Sequence, residues 1–412
     1  MGEFEYRNKV LHVEKLSLKK LAKKYGTPLY VYSKAYLVNQ FQLLKDAFKE
    51  INPLICYSVK ANSNSSIIKT FLQLGSGFDV VSGGELFRAI KAGAKPSRIV
   101  FAGVGKTHDE ICYAIKEGIL FFTVESEAEA ERIAYCARNL KTIARIAFRV
   151  NPDVDPKTHK YISTGKKENK FGLDMERVKK AYKRASTLKN LEICGIHMHI
   201  GSQILSPEPY KNAVDKILPL CKELTACYPS LRYLDIGGGI GIKYEPEQTA
   251  LEPRLIAKFI VKSLKETKLS IIMEPGRFLV GNAGILLCRV QYVKESHQKR
   301  FIIVDAGMND LIRPSLYQAY HEILPVKQIK KTVRGDLVGP ICESGDFFAV
   351  DRDLPDVKEG DLVAIMSAGA YGFSMSSTYN SRPQPAEVMI EGAKAILIRR
   401  RSTYQDLILH EL

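Results

Sequence analysis

Short runs of apolar, mostly β-branched residues alternate with longer amphipathic stretches through the first two thirds of the chain. Each apolar run is predicted to be a strand; the runs are 55–59, 77–81, 98–102, 120–124, 145–150, 193–200, 233–236 and 270–274. Helical apolar spacing follows several of these runs, at Gly84–Ala92, Ser126–Ala137, Met175–Thr187 and Tyr210–Ala226. Continuous apolar strands that alternate with helices are typical of a parallel sheet covered on both faces. Eight such units predict an α/β fold with a (β/α)8 TIM-like barrel.

The pattern changes after about residue 285, where helical spacing becomes scarce. Strand-like segments separated by Gly/Pro turns follow: LLCRVQYV, RFIIVDAG, DLVGPIC, DLVAIMS and KAILIRR. They predict a C-terminal β-rich domain. Near the start of the chain, a candidate helix at Leu16–Lys24 precedes a lone strand in TPLYVYS, which we expect to join that domain. The expected organisation is an N-terminal segment packing with the β domain (1–35), the barrel (36–284) and the β domain (285–412).

Composition narrows the class of protein. The 412 residues are 45% hydrophobic and 26% charged, which allows a large core and excludes disorder as the main state. No apolar run approaches the ~18–20 residues of a membrane span, and the polar start MGEFEYRNKV does not resemble a secretory signal. The eight cysteines include no CxxC, which argues against a disulfide scaffold or zinc ribbon. This cysteine usage indicates a reducing, cytoplasmic setting.

The net charge of +16 raises the question of a polyanionic partner. The basic residues occur mostly as dispersed pairs mixed with acids, apart from the run Arg399–Arg401, and no nucleic-acid-binding pattern accompanies them. We therefore expect a basic surface that attracts anionic small molecules, with no nucleic-acid or membrane partner, and a polyanion stays the less favoured alternative.

The candidate chemistry lies at the carboxyl ends of the predicted strands, where barrel active sites are found. In chain order these ends carry Lys60, Asp79 with Ser82, Gly103, Glu125, Asn151, His197 and His199 with Gly201, Gly237–Gly239, and Glu274 with Arg277. The segment 151–172 between the fifth and sixth strands is too long for a simple connector, so we expect it to cover the site.

Each of these features has a structural explanation beside the functional one. Lys60 is either an exposed strand end or a Schiff-base lysine whose neutral amine is favoured by burial. His197 and His199 face one side of their strand and could be core residues, metal ligands or cofactor contacts. The Gly237–Gly239 run is a tight turn or a phosphate cradle. Glu274–Arg277 is a turn with a surface ion pair or part of a site.

Two strings imitate nucleotide-binding motifs without satisfying them. AGVGKT (102–107) ends like the P-loop pattern GxxxxGK[ST], but that pattern needs a glycine at position 100, where Val100 stands. GGGIGI (237–242) resembles the dinucleotide-binding pattern GxGxxG, but Ile242 stands at its third glycine position. In contrast, an amine, a phosphate cradle, an imidazole and a carboxylate together are what pyridoxal phosphate requires. We therefore expect this cofactor and no metal.

Longer strings carry a family resemblance from about residue 27 to about 385. YSVKAN (57–62), GIHMHIGSQ (195–203), DIGGG (235–239) and EPGR (274–277) resemble segments of the fold-type III pyridoxal-phosphate-dependent decarboxylases. The finer resemblance, to the diaminopimelate decarboxylases, lies in HKYISTGKKENKFG (159–172), DAGMNDLIRPSLYQAYH (305–321), VGPICESGD (338–346) and AGAYG (368–372). Ser58 and Ile196 depart from the residues that relatives often have, at positions without a chemical role.

The resemblance implies how the cofactor would be held. Lys60 would bind it covalently, His197 would stack on its ring and Glu274 would pair with the ring nitrogen. Gly239 would donate its backbone N–H to the phosphate. The implied cofactor-binding set is Lys60, Asp79, His197, Ser202, Gly239, Glu274, Pro275, Gly276, Arg277 and Tyr371.

The resemblance also implies the substrate contacts. An arginine fork suits the distal carboxylate of the substrate, and Glu343 would accept its distal ammonium. Cys342 would return a proton to the α-carbon, although that thiol considered alone would be a buried structural residue. The implied substrate-binding set is Arg277, Arg313, Tyr317, Glu343 and Tyr371, with Lys60 and Cys342 catalytic. In the family Cys342 and Glu343 come from the second subunit, so a homodimer with shared active sites is expected.

The expected reaction is decarboxylation of meso-2,6-diaminopimelate to L-lysine and CO2, the last step of lysine biosynthesis. A decarboxylase of the same fold acting on ornithine, arginine or carboxynorspermidine is the first alternative, but it would leave Arg277 and Arg313 without an anion. A metal-dependent barrel hydrolase using His197 and His199 is the second, although further histidines are missing from the strand ends. A non-catalytic pyridoxal-phosphate-binding module would not need the C-terminal domain.

Overall fold

The computed structural model describes residues 4–155, 171–296 and 299–412. The strands are β1 (Phe4–Arg7), β2 (Val10–Val13), β3 (Leu16–Ser17), β4 (Leu29–Ser33), β5 (Leu54–Ser58), β6 (Gly77–Val80), β7 (Ile99–Phe101), β8 (Phe121–Val124), β9 (Ala144–Val150), β10 (Leu191–Met198), β11 (Tyr233–Asp235), β12 (Ser270–Met273), β13 (Gly284–Ser296), β14 (Lys299–Val304), β15 (Ile323–Pro325), β16 (Thr332–Val338), β17 (Phe347–Pro355), β18 (Leu362–Ile365), β19 (Ala386–Glu391) and β20 (Lys394–Arg399). The helices are α1 (Leu18–Tyr25), α2 (Lys34–Ala47), α3 (Ser65–Gln73), α4 (Gly83–Lys91), α5 (His108–Glu117), α6 (Glu127–Asn139), α7 (Met175–Ala185), α8 (Glu208–Cys227), α9 (Pro253–Glu266), α10 (Arg277–Val280), α11 (Arg313–Tyr317) and α12 (Tyr404–Leu407). Most of the expected cover at 151–172 lies outside the described residues.

The chain divides into two compact units. The barrel unit comprises Gln40–Ile242 and Thr249–Phe278, and the β unit comprises Met1–Asn39, Lys243–Gln248 and Leu279–Leu412. The stretch Lys243–Gln248 thus packs with the β unit although the sequence analysis placed it within the barrel. In the described part of the chain, no helix is long and apolar enough to cross a membrane.

The barrel unit is built on eight parallel strands, which confirms the predicted barrel. Strands β5 to β12 close on each other in chain order. The register pairs Ser58 with Asp79 and His197 with Asp235, so polar residues of neighbouring strands meet at the same level. Small and apolar side chains fill one level of the interior: Cys56, Val100, Leu120, Phe121, Ala147, Cys194 and Ile272.

Side-chain caps begin the barrel helices soon after the strands end. The hydroxyls of Ser82, Thr107 and Ser126 accept hydrogen bonds from the third helical N–H of α4, α5 and α6. Such caps satisfy N–H groups that have no partner inside the helix, and each contributes about 1 kcal/mol. The strand-to-helix turns at the barrel mouth are fixed by local sequence.

The β unit contains one large mixed sheet with strand order β17-β16-β14-β13-β4-β19-β20, and β18 pairs with β13 and β15. Strand β4 lies between β13 and β19, which confirms that the lone N-terminal strand joins this sheet. A separate sheet β1-β2-β3 precedes it and was not predicted. The helix expected at Leu16–Lys24 is α1, whose first two expected residues belong to β3 instead.

Candidate active site

The amine of Lys60 lies at the carboxyl end of the barrel strands, beside a buried carboxylate. Lys60 belongs to the short turn Val59–Ala61 after β5, and its Nζ is 2.8 Å from Oδ2 of Asp79 on β6. Ser58 Oγ donates a hydrogen bond to the same oxygen over 2.6 Å. Asp79 is fully buried, whereas 39% of the Lys60 side chain is exposed. A buried carboxylate therefore orients an amine that stays accessible from the barrel mouth, which a mere exposed strand end would not require.

A histidine and two further acids lie buried at the ends of β10, β11 and β12. His197 Nε2 is 3.1 Å from Oε2 of Glu274, and Asp235 Oδ1 accepts the N–H of Gly237 over 2.8 Å. Burial opposes ionisation of Glu274, but His197 and Lys60 outweigh it and lower the pKa of Glu274 to about 2. Burial and the charge of Glu274 raise the pKa of Asp235 well above its ordinary value. The surroundings therefore favour the charged form of Glu274 and the neutral form of Asp235.

This buried cluster offers hydrogen-bonding capacity to a further group. Within the described chain, Glu274 Oε1, His197 Nδ1, Asp79 Oδ1 and Asp235 Oδ2 have no hydrogen-bond partner. An unsatisfied buried polar atom costs roughly 1–3 kcal/mol, so a polar molecule that paired with these atoms would be bound favourably.

The glycine run after β11 forms a close backbone turn beside this cluster. Gly238 donates its N–H to His199 Nδ1 over 3.2 Å. Gly239 has a φ of +96°, and a Cβ added there would lie 2.3 Å from the carbonyl oxygen of Gly201. The Gly239 N–H has no acceptor among the described residues. The run is thus a tight turn that also leaves a bare N–H for an anion, as a phosphate cradle requires.

The two histidines of β10 occupy different environments. His197 is 1% exposed and its ring faces Glu274. His199 is partly exposed at the barrel mouth, and desolvation chiefly lowers its pKa well below the ordinary value, so its imidazole is neutral. His197 is thus buried against Glu274, whereas His199 is the histidine of this pair that is accessible from solvent; the stacking role of His197 stays a prediction.

The EPGR segment lines the barrel end next to Lys60. Pro275 accepts the backbone N–H of Ser58 over 3.1 Å, and Gly276 and Arg277 lead into α10. The Arg277 guanidinium belongs to a residue that is only 8% exposed, so this segment is not a surface turn with a solvated ion pair. Ser202 lies partly exposed after Gly201 in the same barrel unit.

Other predicted strand-end residues are satisfied within the protein. Glu125 Oε1 is 3.1 Å from Arg149 Nη1, and Glu125 Oε2 accepts the N–H of Gly172 over 2.6 Å. The carboxylate and the guanidinium are both nearly buried. These contacts assign Glu125 to the support of the barrel wall.

Within the β unit, Arg313 is buried beside an aromatic ring and a histidine. Arg313 starts α11 and is 6% exposed, and its guanidinium lies 4.9 Å from the ring centre of Tyr244. Arg313 Nε donates to His321 Nε2 over 3.4 Å, while His321 Nδ1 is 2.7 Å from the carbonyl oxygen of Met366. Since that carbonyl can only accept, His321 carries its proton on Nδ1 and offers Nε2 to the arginine. Neither Tyr244 nor His321 was identified from the sequence. His321 ends the same motif as Arg313 but was given no role, and Tyr244 lies far from that motif in the chain.

The remaining predicted residues also lie in the β unit. Tyr317 closes α11 and is partly exposed. Cys342 and Glu343 are both exposed; Cys342 donates its N–H to Asn380 over 2.8 Å, and Glu343 accepts a 3.4 Å hydrogen bond from a tyrosine hydroxyl. Cys342 is therefore not a buried structural thiol. Tyr371 adopts a φ of +55°, a conformation that non-glycine residues keep mainly where the surroundings impose it.

The geometry alone is compatible with two kinds of chemistry in the barrel. His197, Asp235 and Glu274 offer donor atoms that lie within 4.8 Å of one another, which would suit a metal ion. The neighbouring Lys60 amine and the bare glycine turn suit a phosphorylated aldehyde cofactor. Comparison with known proteins distinguishes these two.

Residues 34–281 match the family described as pyridoxal-dependent decarboxylase, pyridoxal binding domain. The diaminopimelate decarboxylase of Aquifex aeolicus is 52% identical over 405 residues, covering 98% of this chain and 96% of that protein. That of Pseudomonas aeruginosa is 47% identical over 412 residues, covering 100% and 99%. The crystal structure of the Helicobacter pylori diaminopimelate decarboxylase complexed with L-lysine matches with a TM-score of 0.92 at 45% identity, covering 96% of this chain and 99% of that one.

These similarities extend over nearly the whole of both chains, so they include the β unit as well as the barrel. They confirm the resemblance found in the sequence motifs and favour the cofactor over a metal ion in the barrel. The chain belongs to the pyridoxal-dependent decarboxylases and, within them, to the diaminopimelate decarboxylase family.

Proposed function

We propose that this protein uses pyridoxal phosphate to decarboxylate meso-2,6-diaminopimelate, giving L-lysine and CO2 in the last step of lysine biosynthesis. The observation that carries the proposal is the position of the Lys60 amine, which lies at the barrel mouth 2.8 Å from buried Asp79. The substrate assignment rests on the named activity of the full-length relatives.

The barrel residues fit the cofactor in charge and in shape. Glu274 is ionised and has one oxygen, Oε1, without a partner among the described residues, which suits a protonated ring nitrogen. The Gly239 N–H suits the phosphate because it has no acceptor among the described residues. A side chain at this position would collide with Gly201, so the turn requires glycine. His199, neutral and partly exposed, takes the ring-facing position that the sequence analysis gave to His197. His197 is then a partner that keeps Glu274 ionised.

When bound, pyridoxal phosphate withdraws electrons from the bond that breaks at the substrate α-carbon. The protein supplies the rest of the chemistry. Asp79 orients the Lys60 amine, which would hold the cofactor. Glu274 holds its negative charge against the ring nitrogen, and the hydrogen bond from His197 fixes the direction of that carboxylate. Ser202, Pro275 and Gly276 complete the lining of the cofactor site.

Recognition of the distal end of the substrate falls to the β unit and to Arg277. Arg313 is buried and directed by Tyr244 and His321, which prepares its guanidinium for a carboxylate. The family resemblance also assigns Arg277 and Tyr317 to substrate binding, and Glu343 to the distal ammonium. Tyr371 would contact both cofactor and substrate.

We place the proton donor in a second subunit. After CO2 leaves, the Cys342 thiol would give its proton to the α-carbon and become a thiolate. Cys342 and Glu343 are exposed in the single chain, as expected for residues that complete the site of a partner. The functional form is therefore a homodimer with shared active sites. The free cysteines fit a cytoplasmic location.

Release of CO2 from a panel of amino acids tests the proposal. Protein supplied with pyridoxal phosphate should release CO2 from meso-diaminopimelate and much more slowly from ornithine, arginine and carboxynorspermidine, which do not offer the same distal carboxylate to Arg313. Preferred turnover of one of these three would contradict the substrate assignment but keep the decarboxylase. No CO2 from any of them would contradict the function itself.

A further inference from the structure

Three side chains with soft donor atoms meet on the outer helices of the barrel unit, outside the set of active-site residues. His108 is the first residue of α5, Cys112 follows one turn later, and Cys136 lies on the neighbouring helix α6. The spacing of four residues places His108 and Cys112 on one face of α5. Cys136 is buried, Cys112 is partly buried and His108 is exposed, so the cluster reaches from the protein interior to solvent.

The distances between these side chains suit coordination of one ion. Cys112 Sγ is 3.6 Å from His108 Nε2, and Cys136 Sγ is 3.3 Å from His108 Nδ1. One donor atom from each residue can be chosen so that all three lie within 4.8 Å of one another. Neighbouring sulfur and nitrogen ligands of a tetrahedral zinc ion are roughly 3.5–3.8 Å apart, given Zn–S and Zn–N bonds of about 2.3 and 2.0 Å. Since the exposed His108 ring can turn, either of its nitrogens can serve.

The charge of the ligands has to match that of the ion. A cation that binds the sulfurs of Cys112 and Cys136 displaces their protons. Two thiolates would then balance the charge of a divalent ion, so no charge would be left uncompensated beside the protein interior.

We propose that His108, Cys112 and Cys136 form a binding site for a thiophilic divalent cation of the zinc class. Two sulfurs and one imidazole nitrogen select this class over calcium or magnesium, which prefer oxygen ligands. Water reaches the exposed His108 side and completes the fourth position. The bound ion links α5 to α6 and stabilises the folded barrel unit. The site depends on none of the residues assigned to decarboxylation.

Cadmium serves as the probe, because cadmium thiolates absorb in the near ultraviolet and Cd²⁺ takes the same ligands as Zn²⁺. The reduced, full-length holoenzyme should bind one equivalent of Cd²⁺ with thiolate absorption, and Zn²⁺ should compete with it. Affinity should rise with pH, by about tenfold per unit for each proton released. Cd²⁺ at 100 times its dissociation constant should lower the unfolding equilibrium constant about a hundredfold.

Matched variants decide whether the cluster is the site. Cys112→Ser and His108→Ala, both at accessible positions, should lower the Cd²⁺ affinity at least tenfold, with Cys112→Ser also losing part of the thiolate absorption. Cys227→Ser removes an exposed thiol outside the cluster and should bind like the wild type. Absence of stoichiometric binding by the wild type would overturn the proposal, and so would unchanged binding by Cys112→Ser, since the ion would then lie on another thiol.

Discussion

Arg313, which we propose binds the substrate, is directed by residues that would make no contact with the reacting atoms. Its guanidinium lies over Tyr244 and donates to His321, and the tautomer of that histidine is fixed by the carbonyl of Met366. Neither of these two contacts neutralises the guanidinium charge, and a planar guanidinium held in this way suits a carboxylate. The DLIRPSLYQAYH string indicated Arg313, but nothing in the sequence places Tyr244 against it. Contacts between residues far apart in the chain are set by the packing of the β unit.

Replacing Arg313 with Ala should weaken substrate binding selectively. Loss of a charge-assisted pair costs about 2–5 kcal/mol when the partner charge is left buried, so KM for meso-diaminopimelate should rise at least tenfold. The affinity for pyridoxal phosphate, measured by titration of the apoenzyme, should change less than twofold. An equal loss of cofactor affinity would show that Arg313 does not act on the substrate.

Two substitutions at His321 separate its contacts. His321→Gln keeps an acceptor near the position of Nε2, whereas His321→Asn keeps only a donor near Nδ1 for the Met366 carbonyl. We expect KM to rise several-fold in the Asn variant and to stay closer to wild type in the Gln variant, with kcat less affected in both. A comparable rise of KM in both variants, with equal losses of thermal stability, would indicate a structural role only.

Individual strands could be predicted from the sequence where buried positions follow one another in a regular pattern. Each of the eight apolar runs of the barrel became a strand, because a parallel strand covered on both faces needs apolar residues at successive positions. Strands β17 and β19 were missed because polar positions interrupt them, including the fully buried Glu387, which is held by Tyr32 and Arg399. The sheet β1-β2-β3 was missed for the same reason. Which strands pair with these segments is seen only in the folded structure.

Helix α4 carries a titratable group whose effect on stability can be measured. Burial raises the pKa of Glu85 to about 7, although Glu85 accepts the N–H of Val81 over 2.9 Å. Between pH 4.5 and about 7 the folded state binds this proton more tightly than the unfolded state, so stability falls as pH rises through that window. Glu85→Gln keeps an acceptor for Val81 and removes the titration. Above about pH 7 the Tm of this variant should exceed that of the wild type by about 2–4 °C, an effect on the order of 1 kcal/mol. Below pH 4.5 the Tm of the variant should not exceed that of the wild type.

The exposed Glu127 in the first turn of α6 provides the control for this measurement. Glu127→Gln removes a charge that favours the N-terminus of its helix, so this variant should not gain Tm over the wild type at any pH. If the Glu85→Gln curve runs parallel to the wild-type curve across the whole range, the pKa of Glu85 is not raised.

In the whole molecule, the proposed chemistry is shared between two copies of the chain. Lys60, His199 and Glu274 of one barrel unit would act together with Cys342 and Glu343 from the β unit of a second copy. The motifs indicated Lys60, Glu274, Cys342 and Glu343 but gave the ring-facing role to His197 instead of His199, and the barrel prediction explained why the first group lies at one end of the barrel. The second group follows Gly/Pro turns without periodicity, so only the family resemblance connected it with the site.

Mixing inactive subunits tests this sharing. A mixture of Lys60→Ala and Cys342→Ala subunits should regain activity, because each mixed dimer has one site with both residues intact. With random pairing about a quarter of the wild-type activity is expected, since half of the dimers are mixed and each has one of two sites restored. Lys60→Ala mixed with Glu274→Ala is the control and should recover nothing. A mixture no more active than the mean of its parents would contradict shared sites.

Chemical trapping of the proposed bond between Lys60 and the cofactor would show whether this lysine holds pyridoxal phosphate. The protein is incubated with pyridoxal phosphate, reduced with borohydride and digested, and the peptide containing residue 60 is weighed by mass spectrometry. We predict that this peptide gains the mass of one reduced pyridoxyl phosphate, that prior addition of meso-diaminopimelate diminishes the gain, and that Lys60→Ala has none. An unmodified Lys60 peptide, or modification of other lysines alone, would contradict the account.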